Sequence, residues 1–162
     1  MDALELLKAD HDRVKKLLSE LEDSKEEPQD LRELYNQIKL ELKIHEHLEE
    51  TLLYPVLREH SESRQLALEG FVEHHTANVV LNELALDKVG SDNFKAKAKV
   101  LKELVEHHIE EEEGELFDQA RELLGEERLS EMGQRMQDMK ARELQDPEAL
   151  TGEPVPRTRD AA

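Results

Sequence analysis

Two stretches of the chain interrupt an apolar pattern in the same way. One reads Ile44-His45-Glu46-His47-Leu48-Glu49-Glu50 and the other His107-His108-Ile109-Glu110-Glu111-Glu112-Glu113. On a helix, residues four apart lie one above the other. His45/Glu49 and His108/Glu112 therefore each put an imidazole and a carboxylate on one inward face. A buried, ionised carboxylate is costly unless it is paired or bound to a metal. Either pair alone reads equally well as a His–Glu hydrogen bond. Two pairs, joined by His11 at an inward position of a third helix, read as a convergent metal site. Imidazole and carboxylate without thiolate suit iron or manganese, with zinc as an alternative.

The remaining polar residues divide by helical rotation. His47 lies opposite His45 and faces solvent, and His60 and His107 read the same way. Of the run Glu110 to Glu113, only Glu112 turns well inward. Glu46 flanks the inner stripe and is placed to orient a ligand. His74 and His75 are adjacent, and only one of them can point at the site. Rotation does not choose, because apolar residues spread widely around that helix: His75 shares a side with Leu68 and Leu86, His74 with Phe71, Asn78 and Leu81. Tyr54 falls outside the site by rotation, although a kink at Pro55 leaves its position open.

These residues need long helices, and the composition provides them. The 162-residue chain is 38% charged and 3% aromatic, with only 6 Gly and 5 Pro. That favours helices over sheet. Leu4, Leu7, His11, Val14, Leu18 and Leu21 mark a bundle helix over about Asp2 to Asp23. A second runs from about Pro28 to His60. Its stripe includes Tyr35, Ile38, Leu42, His45 and Glu49, and Pro55 should kink it. A third spans about Arg64 to Val89. Gly90-Ser91-Asp92 then supplies a stop and a new N-cap. A fourth runs from about Asn93 to Leu124, where Gly125 ends it. A shorter fifth helix, about Glu126 to Leu144, carries Met132, Met136 and Met139 as gap-filling core. The reading is an all-α, antiparallel up-down four-helix bundle over 1–124, a C-terminal helix over 125–145 and a flexible tail over 146–162.

A net charge of −18 opposes nucleic-acid backbones and anionic membrane surfaces. With no cysteine, there is no disulfide framework, thiolate site or thiol nucleophile. The first residues show no signal-peptide pattern and no apolar run reaches membrane-spanning length, so the expected location is cytoplasmic. The zinc-protease H-E-x-x-H, the ferritin-like Glu-x-x-His pairing, EF-hand loops, phosphate loops and G-x-S-x-G are all absent. No protein partner can be named.

Four fragments together resemble bacterial hemerythrin-like proteins of the HHE cation-binding family. They are Leu7-Lys8-Ala9-Asp10-His11; His45…Glu49-Glu50…Leu53-Tyr54-Pro55; Glu73-His74…Leu81…Leu84; and His107-His108…Glu112-Glu113-Gly114-Glu115-Leu116-Phe117. The resemblance covers about Leu4 to Leu124. It implies a left-twisted bundle around two irons joined by an oxygen bridge (oxo or hydroxo). It assigns His11, His45, Glu49, His74, His108 and Glu112 as ligands, with the two glutamates bridging, and so chooses His74 over His75. Two departures stand out. Oxygen-carrying relatives have a second histidine where this chain has Asn78. Related proteins often have proline where it has Asp118, which bears on local shape.

On that assignment, four histidines and two bridging carboxylates supply about eight bonds, and the oxygen bridge adds about two, of the roughly twelve that two six-coordinate irons need. About two positions remain for water, O₂, peroxide, nitric oxide or a further side chain. Without a histidine at Asn78, redox reaction or sensing fits better than reversible O₂ carriage. The leading expectation is a non-haem di-iron protein that binds or reacts with O₂, peroxide or nitric oxide. Sensing and turnover share the same residue signature. Divalent-metal storage and a metal-free helical interaction module are the alternatives.

Overall fold

The computed structural model describes residues 1–23 and 27–148, and all regular structure among them is helical. Helix α1 (Ala3–Glu22) opens with a capping box: Glu5 N–H donates to Asp2 Oδ1 and Asp2 N–H to Glu5 Oε2, both at 2.9 Å. Helix α2 (Pro28–Leu48) starts on Pro28 and runs into a π turn, Glu49–Leu53, followed by α3 (Tyr54–Arg58). Helix α4 spans Arg64–Leu84 and α5 spans Asp92–Glu111. A second π turn, Glu112–Leu116, leads into α6 (Phe117–Gln145). The short links make α1, α2–α3, α4 and α5–α6 an antiparallel four-helix bundle.

One boundary differs from the sequence reading. Helix α4 stops at Leu84, short of Val89; Leu86 beyond it is 86% exposed, while Val89 packs against the core from outside the helix. The chain then turns at Gly90 (φ 80°), and Ser91 Oγ accepts Phe94 N–H at 3.2 Å as the cap of α5. Gly125 breaks the helical path as the sequence predicts: its φ of 72° and ψ of 172° are non-helical and divide α6 into two helical halves, the second continuing to Gln145. The expected tail lies, from residue 149 on, outside the described residues. No helix among the described residues is long and apolar enough to cross a membrane.

The core has two apolar layers. One contains Leu4, Leu7, Leu48, Leu53, Tyr54 and Phe117, closed by Leu129, Met132 and Met136 of α6. The other contains Val14, Leu18, Ile38, Leu42, Leu81, Phe94 and Leu101. His11, Glu49, Glu112 and three more histidines are buried between them. The apolar layers hold the helix positions, so the polar layer in the middle is set by the packing around it.

Candidate metal centre

All six residues expected from the sequence meet in this middle layer. Relative exposure is 2% for His11, 4% for His45, 0% for Glu49, 3% for His74, 8% for His108 and 2% for Glu112. They form two groups that share Glu49. His11, His45, Glu49 and Glu112 bring ligand atoms within 4.8 Å of one another, and so do Glu49, His74 and His108. The two carboxylates span both groups. Glu49 Oε1 lies 2.8 Å from His45 Nε2, and its Oε2 lies 3.0 Å from His74 Nε2. Glu112 Oε2 is 3.1 Å from His11 Nε2 and 3.6 Å from His108 Nε2.

The imidazoles face each other in pairs. Nε2 atoms are 3.1 Å apart in His11/His45 and 3.2 Å apart in His74/His108. Two nitrogens about 2.1 Å from one ion and roughly at right angles sit about 3 Å apart. Neutral imidazoles that donate Nδ1–H outward would point lone pairs at each other here, which repels unless a cation stands between them. With the facing imidazoles unprotonated at Nε2, the buried carboxylate oxygens Glu49 Oε1 and Glu112 Oε2 receive no hydrogen bond from the protein. Geometry and donor chemistry both fit a pair of metal ions.

Each imidazole has an acidic residue behind it. His11 Nδ1 meets Glu113 Oε1 and His74 Nδ1 meets Glu50 Oε1, both at 2.9 Å. His108 Nδ1 meets Glu73 Oε1 at 3.1 Å, and Asp10 Oδ2 stands 3.6 Å from His45 Nδ1. At His11, His74 and His108 such carboxylates fix the tautomer that leaves Nε2 for a metal and raise its basicity, whereas Asp10 stands beyond hydrogen-bond distance of His45 Nδ1. Sequence reasoning missed these four as functional residues, and rotation alone puts Glu113 on the solvated face. Each of the four is next in sequence to one of the six residues of the layer. That adjacency is the signal that would have found them. Glu46, expected to orient a ligand, instead accepts Asn78 Nδ2–H at 2.8 Å, and burial raises its pKa. His75 is exposed, as are His47 and His107.

Tyr54 corrects the rotational expectation. Its hydroxyl donates to Glu112 Oε1 at 2.7 Å and lies 3.2 Å from Glu49 Oε2, 3.3 Å from His74 Nε2 and 3.5 Å from His108 Nε2. The π turn Glu49–Leu53 accounts for this. Its extra residue rotates the helix beyond it, so Tyr54 swings inward while its N–H reaches back to the Glu49 carbonyl. Gly70 makes room for the ring: a Cβ there would sit 2.7 Å from Tyr54 Cζ.

The electrostatics call for positive charge. Burial would lower the pKa of His11, but hydrogen bonds and attraction to Glu112 and Glu49 raise it to about 10. Burial opposes charge on His45 and His74 too, yet Glu49 and flanking carboxylates lift both. Glu49 is held well below the usual carboxylate range despite burial, by His45, His11 and His74. Burial, then the charges of Glu112 and Glu49, push Tyr54 well above the ordinary phenol value. A metal ion entering this layer would compete with protons for it.

Comparisons with known proteins agree with the geometry. The chain is 27% identical over 134 residues to a DNA nickase from Nostoc sp., a match that covers 81% of this chain and 37% of that protein. It thus spans little more than a third of that relative's length. Its fold is similar to the crystal structure of a hemerythrin HHE cation binding domain-containing protein from Mycobacterium kansasii. The TM-score is 0.77 at 23% identity, and the match covers 91% of this chain and 93% of that one. The family model described as hemerythrin HHE cation binding domain matches residues 2–120. A helical bundle with a buried layer of imidazoles and carboxylates, matched by that model along most of its length, belongs to the hemerythrin HHE cation-binding family.

Proposed function

We propose that the centre holds two iron ions and that the protein binds or reacts with O₂, peroxide or nitric oxide. The observation that carries this reading is Glu49, whose two oxygens face different histidine pairs. His11 and His45 would hold one ion and His74 and His108 the other, with Glu49 and Glu112 shared and Tyr54 beside the second pair. When bound, the irons supply redox capacity and open coordination positions for a small ligand.

The chain's own residues select by size and polarity. A chamber of about 20 Å³ adjoins His11, His45, His74 and His108, with Val14, Leu42, Ala77, Leu104, Val105 and Ile109 in its wall. That suits a diatomic molecule or peroxide. Asn78, one turn from His74, turns its amide to Glu46, so the second pair gains no third imidazole. This favours redox reaction or sensing over reversible O₂ carriage. The nickase activity named for the Nostoc relative is not extended to this chain. The chain spans 37% of that protein, and a net charge of −18 opposes a phosphate backbone.

The test is spectroscopic. Iron-loaded protein is titrated with nitric oxide, peroxide and O₂. A change in its near-ultraviolet and visible bands is expected with at least one of them, lost in His74→Leu. Loaded protein indifferent to all three, with metal that chelators strip at once, would instead make it a cation buffer.

A further inference from the structure

A third group of ligating side chains lies outside the centre. His107 Nε2 sits 3.2 Å from Glu111 Oε1 one turn along α5, and both side chains are open to solvent, 62% and 46% exposed. Glu73 reaches in from α4, so that ligand atoms of all three residues fall within 4.8 Å. Glu73 already accepts His108 Nδ1 through Oε1, which leaves its second oxygen for the outer cluster.

Two cavities connect this cluster to the interior. An open surface groove of about 360 Å³ contains Glu69, Glu73, His107 and Glu111. A smaller pocket shares Glu69, Glu73 and Glu111 with that groove and has Tyr54, His108 and Glu112 as its inner wall. The groove and the pocket thus share one wall, and the pocket lies against Tyr54, His108 and Glu112 of the centre. Three carboxylates and one imidazole line the outer part together with Gln65, Leu68 and Val72, and neither cavity has a lysine or arginine in its wall. A cleft of one sign concentrates counter-ions. An open imidazole–carboxylate set binds divalent first-row cations and leaves positions for water, which makes exchange fast.

We propose that Glu73, His107 and Glu111 form an outer, exchangeable site for a divalent first-row metal cation, and that the buried centre is loaded through it. The loading role rests on the proposed metal centre, whereas binding at the outer cluster does not. A cation held there sits beside the shared pocket and can move inward from Glu73 to Glu112 and Tyr54 by ligand exchange, past the Leu66 and Leu116 side chains. Glu73 belongs to both sites, because its other oxygen orients His108.

The probe is Co²⁺ added anaerobically to metal-free full-length protein. Bound ions are counted at dialysis equilibrium and again after desalting, and the growth of the visible Co²⁺ bands gives the filling rate. The comparison variant is H107A/E111Q. Both residues are exposed, and circular dichroism checks the fold; E69Q/E111Q, which keeps the imidazole, is a second variant. Wild type is expected to bind one more ion at equilibrium than it retains. Each variant is expected to lose that weak ion, to retain the same number as wild type and to fill at least five-fold more slowly. Equal ion counts or equal filling rates in wild type and both variants would overturn the proposal. Wild type that retains no ion on desalting, yet still shows a weak one lost in the variants, would count against the buried centre and not against the outer site.

Discussion

A buried carboxylate keeps its charge only when something positive faces it, and Glu49 faces imidazoles through both oxygens. In metal-free protein, protons fill that role. The raised pKa of His11 means that its proton stabilises the fold fully below the ordinary value of 6.5, a contribution lost as pH rises through about 10. Glu49 is lowered, so its contribution is present above 4.5 and lost as pH falls. A metal ion must displace the His11 proton. Loading near neutral pH should therefore release protons, and metal should come off in mild acid. Calorimetric titration in buffers of different ionisation enthalpy measures the release; buffer-independent heats would contradict it. Tyr54→Phe removes the donor to Glu112 and should destabilise metal-free protein by about 1–3 kcal/mol in urea denaturation. An unchanged midpoint would mean that this hydrogen bond adds nothing. The histidines and glutamates were legible because spacing by four survives in any regular helix. Tyr54 was not, since a single inserted residue invalidates rotation counted from His45. His74 could not be told from His75 by rotation because Leu68, Val72 and Val79 make the outer face of α4 apolar as well.

Both π turns begin at a carboxylate of the centre, Glu49 in one and Glu112 in the other. Pro55 frees a carbonyl in the first, which the sequence shows directly. The second forms with Asp118 at the corresponding place, so proline is not required for it. In place of the simple kink expected at Pro55, the bend is a widened turn that re-aims a side chain, a common feature of functional sites. Two glycines separate shape from propensity. Gly70→Ala would drive a Cβ to 2.7 Å from the Tyr54 ring. It should cost about 1–3 kcal/mol and disturb metal retention. Gly114→Ala meets nothing within 4 Å in the second π turn. It should gain up to about 1 kcal/mol with metal content unchanged. Thermal unfolding and metal analysis of both variants check this, and equal effects would refute the packing role of Gly70.

The molecule is one apolar body with a polar layer through its middle, and the C-terminal half of α6 is part of it. Met132 and Met136 are buried with Leu4 and Leu7, as their spacing predicted. Lys140 also pairs with Asp10, the acid behind His45, and Glu143 pairs with His47. These links join residues 130 and 96 positions apart in the chain, separations that sequence periodicity does not reach. Truncation after Gly125 should cost about 2 kcal/mol for each buried apolar side chain removed. Lys140→Met should leave the core intact and weaken metal binding by up to about ten-fold through Asp10. Denaturation and metal-competition assays distinguish the two effects, and full metal affinity in both variants would show that α6 does not support the centre. The central claim is that the His–Glu layer holds two metal ions. Its most direct test is metal content by mass spectrometry on protein purified without a metal-affinity tag, with an optical spectrum of the same sample. Two irons per chain and a near-ultraviolet charge-transfer band are predicted, both lost in His45→Leu. A folded chain that carries no metal and takes up none from added iron would contradict the claim.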